Sequence, residues 1–223
     1  MIEHILEHQD AILKALLETL ILVGTASLFA ILFGMMLGTL LYLSRPSGMR
    51  PNRLAYSLAN IYVNTIRSFP FLIFIVAMIP VTRFILGKSL GTVAATLPLS
   101  LIGIAIYARF VEQSLLDVPY TIIEVSKSLG ANLKQSLHYF IFPTARQSMI
   151  LGLTSSIISL LSYSTVMGVV GGGGIGDFAF RYGYQKFDNT LMYTTVVIMI
   201  LLVQSIQFIG NSIALKYKGD RND

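Results

Sequence analysis

Four long runs without a charged residue constrain this chain more than any other feature. Residues 19–44, 89–108, 147–176 and 189–215 hold 26, 20, 30 and 27 consecutive uncharged residues. A helix crosses the hydrocarbon core of a bilayer with about 20 apolar residues, so each run is long enough to span. A fifth span is predicted over about 56–82. Only 15 uncharged residues (68–82) lie between Arg67 and Arg83, so this span carries Arg67 with it, the side chain snorkelling towards the inner surface. Pro70 and Pro80 predict bends at either end of its apolar part, and Pro98 another in the third span, taken as 89–110. The predicted fold is all-α and integral to a membrane, with spans at about 19–44, 56–82, 89–110, 147–170 and 189–215.

Composition agrees and removes several function classes. Charged residues make up 12% of the 223-residue chain and hydrophobic ones 54%, with a mean hydropathy of +0.71; soluble domains average roughly 25% charged. There is no cysteine, so disulfides, thiol catalysis and cysteine-ligated metals are excluded. No cluster of titratable residues suggests an enzyme active site. No span carries a charge at its middle, which argues against an ion- or proton-coupled carrier.

Residues 1–18 place Ile2, Ile5, Leu6, Ile12, Leu13, Leu16 and Leu17 at helical spacing among acidic residues, which predicts an amphipathic lead-in helix at the membrane surface. It has neither a basic start nor a small-residue cleavage site, and is not read as a signal peptide. His4 and His8, at i and i+4, could hold a metal ion; a solvated helix face is the preferred reading and no metal is expected. In the first span, Gly34 and Gly38 form a G-x-x-x-G that lets another backbone approach, either within the subunit or across a dimer.

The longest polar segment, 113–146, has a helix–stop–helix grammar. Thr121-Ile122-Ile123-Glu124 fits a capping box, Gly130 suits the left-handed residue that closes a helix, and Asn132-Leu133-Lys134-Gln135 fits a second box. Pro143 is expected to limit the following helix. A solvated loop joining two spans and a bent helix pair that presses into a partner both fit this grammar. If the segment is cytoplasmic, 11 of the Lys and Arg residues lie inside and 5 outside, as the excess of basic residues on cytoplasmic loops requires. The N-terminus is then outside, the C-terminus inside, with 216–223 a cytoplasmic tail. The +5 net charge follows that bias and does not indicate nucleic-acid binding.

Six glycines fall between 168 and 176, too many for a regular lipid-facing helix, since each costs about 1 kcal/mol against alanine. Irregular backbone at this depth is tolerated where it is buried in protein or lines a wet cavity. Gly171, Gly173 and Gly174 are therefore candidates for the outer part of a translocation path. No G-K-[ST] follows them, so this is not a phosphate-binding loop. Just before them, Tyr163, Ser164 and Met167 could face a small amphipathic solute; interhelical packing is the reading preferred from the residues alone.

Glu124, Gly130 six residues on and Pro143 thirteen beyond resemble the EAA loop of bacterial ABC importer permeases, with Val125-Ser126 where that family has a pair of alanines. Asn64-Thr65-Ile66-Arg67-Ser68-Phe69-Pro70-Phe71, Met78-Ile79-Pro80-Val81-Thr82-Arg83, Ala108-Arg109-Phe110-Val111-Glu112, Leu115-Leu116-Asp117-Val118-Pro119, Tyr163-Ser164 and Tyr182-Gly183-Tyr184 are similar to the small five-span methionine importer permeases. The resemblance implies a bacterial inner-membrane transport subunit rather than an enzyme. It implies a homodimer around a central path, two copies of a separate ATPase subunit, an extracytoplasmic binding protein and contact with membrane lipid. No cofactor would bind directly, and ATP would be used by the partner. Glu124, Ser128, Gly130, Ala131 and Pro143 would couple the loop to the ATPase, and Tyr163 and Ser164 would lie at the path. Another amino acid on the same scaffold, or an export or assembly subunit, is the alternative.

Overall fold

The computed structural model describes residues 2–217; Lys218 and Arg221, counted above as inner basic residues, lie outside the described residues with most of the 216–223 tail. Every regular element described is helical: α1 (Ile2–Glu7), α2 (Gln9–Ser44), α3 (Arg53–Ser68), α4 (Phe71–Leu86), α5 (Thr92–Leu116), α6 (Tyr120–Ser128), α7 (Leu133–Gly172), α8 (Gly174–Phe178) and α9 (Asn189–Leu215). Helices α2, α5, α7 and α9 are each long and apolar enough to cross a membrane, and α3 with α4 makes a fifth span if the pair is one.

That pair is bent by 114°, far beyond the kink expected at Pro70. Proline disfavours helical backbone in the residue before it. Phe69 accordingly sits at φ −71°, ψ 133°, and Pro70 itself is extended (ψ 124°), so α4 starts afresh at Phe71. Pro80 and Pro98, by contrast, lie inside unbroken helices.

The lead-in divides at His8, with α1 ending at Glu7 and α2 beginning at Gln9. The helix is unbroken from Gln9 to Ser44, with one π-helical turn at Ala30–Gly34. Ala11, Ile12, Ala15 and Leu16 pack on Ile175, Phe178 and Leu191, while Leu6, Leu13 and Leu17 are exposed.

Helix α5 is the hub. It buries residues along its whole length, from Ala94 and Ala95 to Ser114 and Leu115, against α2, α3 and α7. The G-x-x-x-G of α2 serves this packing, within one chain. A Cβ on Gly38 would overlap the Ala108 carbonyl oxygen and stand 2.7 Å from Val111 Cβ, and one on Gly34 would stand 3.1 Å from the Ile104 carbonyl oxygen. Polar groups fix α3 on α5 as well. Arg109 donates to Glu112 (2.6 Å), Asn60 (3.0 Å) and Asn64 (2.5 Å), and Tyr62 Oη donates to the Leu101 carbonyl (2.9 Å). Glu112 is buried. Leaving a buried carboxylate without a close partner is costly, and Arg109 supplies the partner. Helix α9 lies at the periphery, burying only Leu191, Thr195, Gly210 and Ala214.

Candidate functional site

The polar loop folds as a helix, a stop and a second helix, with two departures from the sequence reading. Pro119 (φ −55°, ψ 137°) stands at the N-cap of α6 and no side chain caps the helix, so Thr121 and Glu124 do not form the expected capping box. The reason is positional: proline pre-sets the entry dihedral one residue before Tyr120, which leaves Thr121 already inside the first turn. Nor does Pro143 limit a helix. It sits at the start of an α-helical stretch preceded by the π-helical turn Ser136–Ile141, and α7 runs through it. The wide turn shifts the hydrogen-bond register before the residue that lacks an N–H.

The stop and the second cap match expectation. Gly130 has φ +70°; its N–H donates to the Lys127 carbonyl (2.9 Å) and that of Ala131 to the Ser126 carbonyl (3.0 Å), a complete Schellman motif. Asn132 and Gln135 exchange reciprocal bonds of 2.9 and 3.0 Å. One face of α6 is buried through Ile123 and Ser126, with Ser126 Oγ donating to the Ile123 carbonyl. The other face is open: Glu124, Ser128, Gly130 and Pro143 are exposed and Ala131 half-buried. Tyr120, Val125, Leu129 and Tyr139 are exposed beside them, Leu129 at 71%.

The path candidates separate. Tyr163 lines a cavity of 280 Å³ with Arg67, Phe69, Phe71, Phe74, Phe110 and Ser159 among its walls. Its ring packs 4.3 Å from that of Phe71. Ser164 is buried, its hydroxyl donating to the Leu161 carbonyl (2.6 Å), and Met167 is buried in the apolar core; neither lines this cavity. Arg67, expected near the inner membrane surface, is exposed one residue before the end of α3 at the 114° bend and is among the residues that line the cavity. The signal was present: an arginine three residues before a proline that breaks the span. Along α7, Ser155 and Ser162 are exposed and Ser159 half-buried. Spaced by four and three, they make a hydroxyl stripe on one helix face that the sequence reading did not single out.

The glycine cluster forms a turn in which Gly171, Gly173 and Gly174 all have positive φ (86°, 76° and 80°), conformations that side-chain-bearing residues rarely adopt. The turn is tied on two sides. The Glu18 carboxylate accepts from the Gly174 N–H and the Thr19 hydroxyl from the Ile175 N–H, both at 2.8 Å, across 156 residues. The Gly91 N–H donates to the Gly171 carbonyl at 2.8 Å. Glu18 and Thr19 were read only as the point where the first uncharged run begins; a single charge at a span boundary carries no sign of its partner. At the far end of the same face, His4 Nε2 donates to Asp188 Oδ2 at 2.6 Å. That bond raises the pKa of His4 above its ordinary value, and lowers that of Asp188, which also accepts from the Leu191 N–H.

The chain resembles known proteins along most of its length. The family model described as "Binding-protein-dependent transport system inner membrane component" matches residues 30–217. The probable D-methionine transport system permease protein MetI of Vibrio cholerae is 39% identical over 206 residues, 92% of either chain. The methionine import system permease protein MetP of Bacillus subtilis is 36% identical over 175 residues, 78% of either chain. A solved inward-facing conformation of the MetNI methionine ABC transporter matches with a TM-score of 0.89 at 36% identity, over 93% of this chain and 96% of that one. A multi-pass helical chain whose family match covers most of its length, this protein belongs to the binding-protein-dependent transport system inner-membrane components.

Proposed function

We propose that the chain is the membrane-spanning subunit of an ATP-driven methionine importer. The observation that carries this reading is the likeness to the MetNI transporter over 93% of the chain. In it the N-terminus faces outward, the C-terminus and the 113–146 loop face the cytoplasm of a bacterial inner membrane, and two copies enclose the path. Each copy docks one ATPase subunit on α6, whose apolar Tyr120, Val125 and Leu129 fill a groove while Glu124, Ser128, Gly130, Ala131 and Pro143 set its shape. ATP is bound and hydrolysed by that partner. Its closure moves the docked helix and rocks the permease halves outward. A binding protein then unloads solute over the turn at Gly171, Gly173 and Gly174, and hydrolysis resets the inward state.

The cavity beside Tyr163 has the chemistry of a path for this solute. A guanidinium pairs with a carboxylate through charge-assisted bonds, and aromatic walls suit a thioether, worth about 0.3–1.5 kcal/mol per sulfur–ring contact. Arg67 and the ring of Phe69, Phe71, Phe74, Phe110 and Tyr163 supply both.

Uptake of labelled methionine into vesicles carrying this chain with its cognate ATPase and binding protein tests the proposal. Uptake that requires ATP hydrolysis and is competed best by unlabelled methionine is expected. Strong competition by another amino acid instead would overturn the substrate, and no uptake by an intact complex would overturn import itself.

A further inference from the structure

The N-terminal turn carries a constellation outside the cavity, the docking loop and the glycine turn described above. His4 and Glu7 stand at i and i+3 on α1, and His8 follows at the turn between α1 and α2, where its φ of −104° and ψ of 10° leave the helix. One ligand atom from each lies within 4.8 Å of the other two. His4 Nδ1 and Glu7 Oε2 are already 3.4 Å apart. Two ligands held about 2.0–2.1 Å from one tetrahedral zinc stand roughly 3.4 Å from each other, so this edge of a coordination polyhedron needs no rearrangement.

The second nitrogen of each imidazole settles which atoms are free to bind. His4 Nε2 donates to Asp188 Oδ2 at 2.6 Å, and His8 Nδ1 donates to the His4 carbonyl oxygen at 3.1 Å. A carbonyl and an ionised carboxylate only accept, so in the neutral imidazoles the protons sit on those nitrogens, and a metal would take the lone pairs of His4 Nδ1 and His8 Nε2, displacing any proton that His4 Nδ1 holds towards Glu7 Oε2. Metal-ligating histidines are oriented in this way, the other ring N–H going to a carboxylate or a backbone carbonyl. Spacing alone does not distinguish this arrangement from a solvated helix face. The difference is Asp188, 184 residues away in sequence.

Asp188 is itself fixed, because its other oxygen caps α9 by accepting from the Leu191 N–H at 3.0 Å. Tyr182 backs the site, with its ring 5.5 Å from that of His8. The ligand side chains lie towards solvent, with Glu7 73% exposed, which leaves the remaining coordination position to water. Two neutral imidazoles and a carboxylate, with a second carboxylate behind, balance a divalent ion. Mixed nitrogen and oxygen ligands of this kind suit zinc among the available metals.

We propose that His4, Glu7 and His8 form a zinc site, oriented by Asp188, that fastens the N-terminal turn to the start of the last span. It stands apart from the transport reading and does not depend on methionine being the solute.

The test uses the full chain in lipid nanodiscs, purified through a tag without histidine, stripped with chelator and titrated with zinc near neutral pH. One saturable equivalent per chain is expected. His8→Gln should weaken it at least tenfold, and Asp188→Asn by about 10- to 100-fold, the usual effect of losing an orienting partner. Because Asp188→Asn also alters the cap of α9, hydrogen exchange is read in parallel. Zinc should slow exchange of residues 2–8 in the wild-type protein and leave His8→Gln unchanged. Equal zinc affinity in a His4→Gln/His8→Gln double variant, or zinc uptake that leaves exchange at residues 2–8 unaltered, would overturn the proposal.

Discussion

Replacing Gly130 with alanine isolates one physical effect in the loop proposed to dock on an ATPase. Gly130 closes α6 at φ +70°, and a Cβ built there meets nothing within 4 Å. Steric collision therefore contributes nothing, and the whole cost is the left-handed backbone, about 1–2 kcal/mol for a residue with a side chain. That is a factor of roughly 5 to 30 in the equilibrium between the closed and frayed helix end. Helix α6 has 9 residues, too few to persist without its tertiary contacts and caps. Fraying removes the bonds from Gly130 N–H to Lys127 and from Ala131 N–H to Ser126 and blurs the position of the exposed Leu129. Asparagine tolerates the left-handed region better than alanine, so Gly130→Asn should fall between wild type and Gly130→Ala. In vesicles containing the reconstituted transporter, the solute moved per ATP hydrolysed should drop several-fold in Gly130→Ala, with membrane insertion intact. Gly130→Asp adds a charge to the docking face and should uncouple further. An alanine variant with wild-type coupling, or an asparagine variant worse than alanine, would refute the argument that backbone conformation at this position sets the coupling.

Three further outcomes follow from other contacts. Gly38→Ala drives a methyl into the Ala108 carbonyl and Val111, and should destabilise the protein by about 1–3 kcal/mol in thermal unfolding, the usual cost of overpacking. Gly24→Ala, with nothing within 4 Å of its Cβ in the interior of α2, is the control and should stabilise by up to about 1 kcal/mol, the gain of alanine over glycine in a helix; an equal loss in both variants would refute the close-approach reading. Glu18→Ala leaves the Gly174 N–H without its acceptor, a loss of about 1–3 kcal/mol, so hydrogen exchange over 171–178 should accelerate, whereas Glu18→Gln keeps an acceptor oxygen and should accelerate it less. Arg67→Met should abolish uptake without lowering thermal stability or ATPase binding, and Arg67→Lys should retain part of it. Wild-type transport by Arg67→Met would remove the cavity from the path.

How much of the site was legible depended on how local its cause is. Gly130 and the Asn132–Gln135 box could be read from sequence because each motif is closed within a few residues. The box at Thr121–Glu124 misled because the same residues follow Pro119, and one residue's shift in the helix start takes a side chain out of capping position. Pro143 misled because the preceding π-helical turn, which depends on how α7 packs at Ser136 and Ile141, absorbs the missing donor. Ser164 is held to its own helix at the Leu161 carbonyl, Met167 packs in the apolar core and Arg67 lines a cavity with five aromatic rings, neighbours that no residue's type announces.

By itself, the sequence determined that the chain is helical, how many times it can cross a bilayer and which loops carry the basic excess. The bilayer imposes these requirements residue by residue along the chain. Tertiary structure alone decided that α5 lies at the centre, that α3 and α4 meet at 114°, that Glu18 and Thr19 hold the glycine turn and that His4 reaches Asp188. In lipid no hydrophobic contrast distinguishes one helix face from another, so helix association rests on close packing and a few hydrogen bonds. Those bonds join residues 156 and 184 positions apart, and neither end of such a pair bears a mark of the other until the helices are packed.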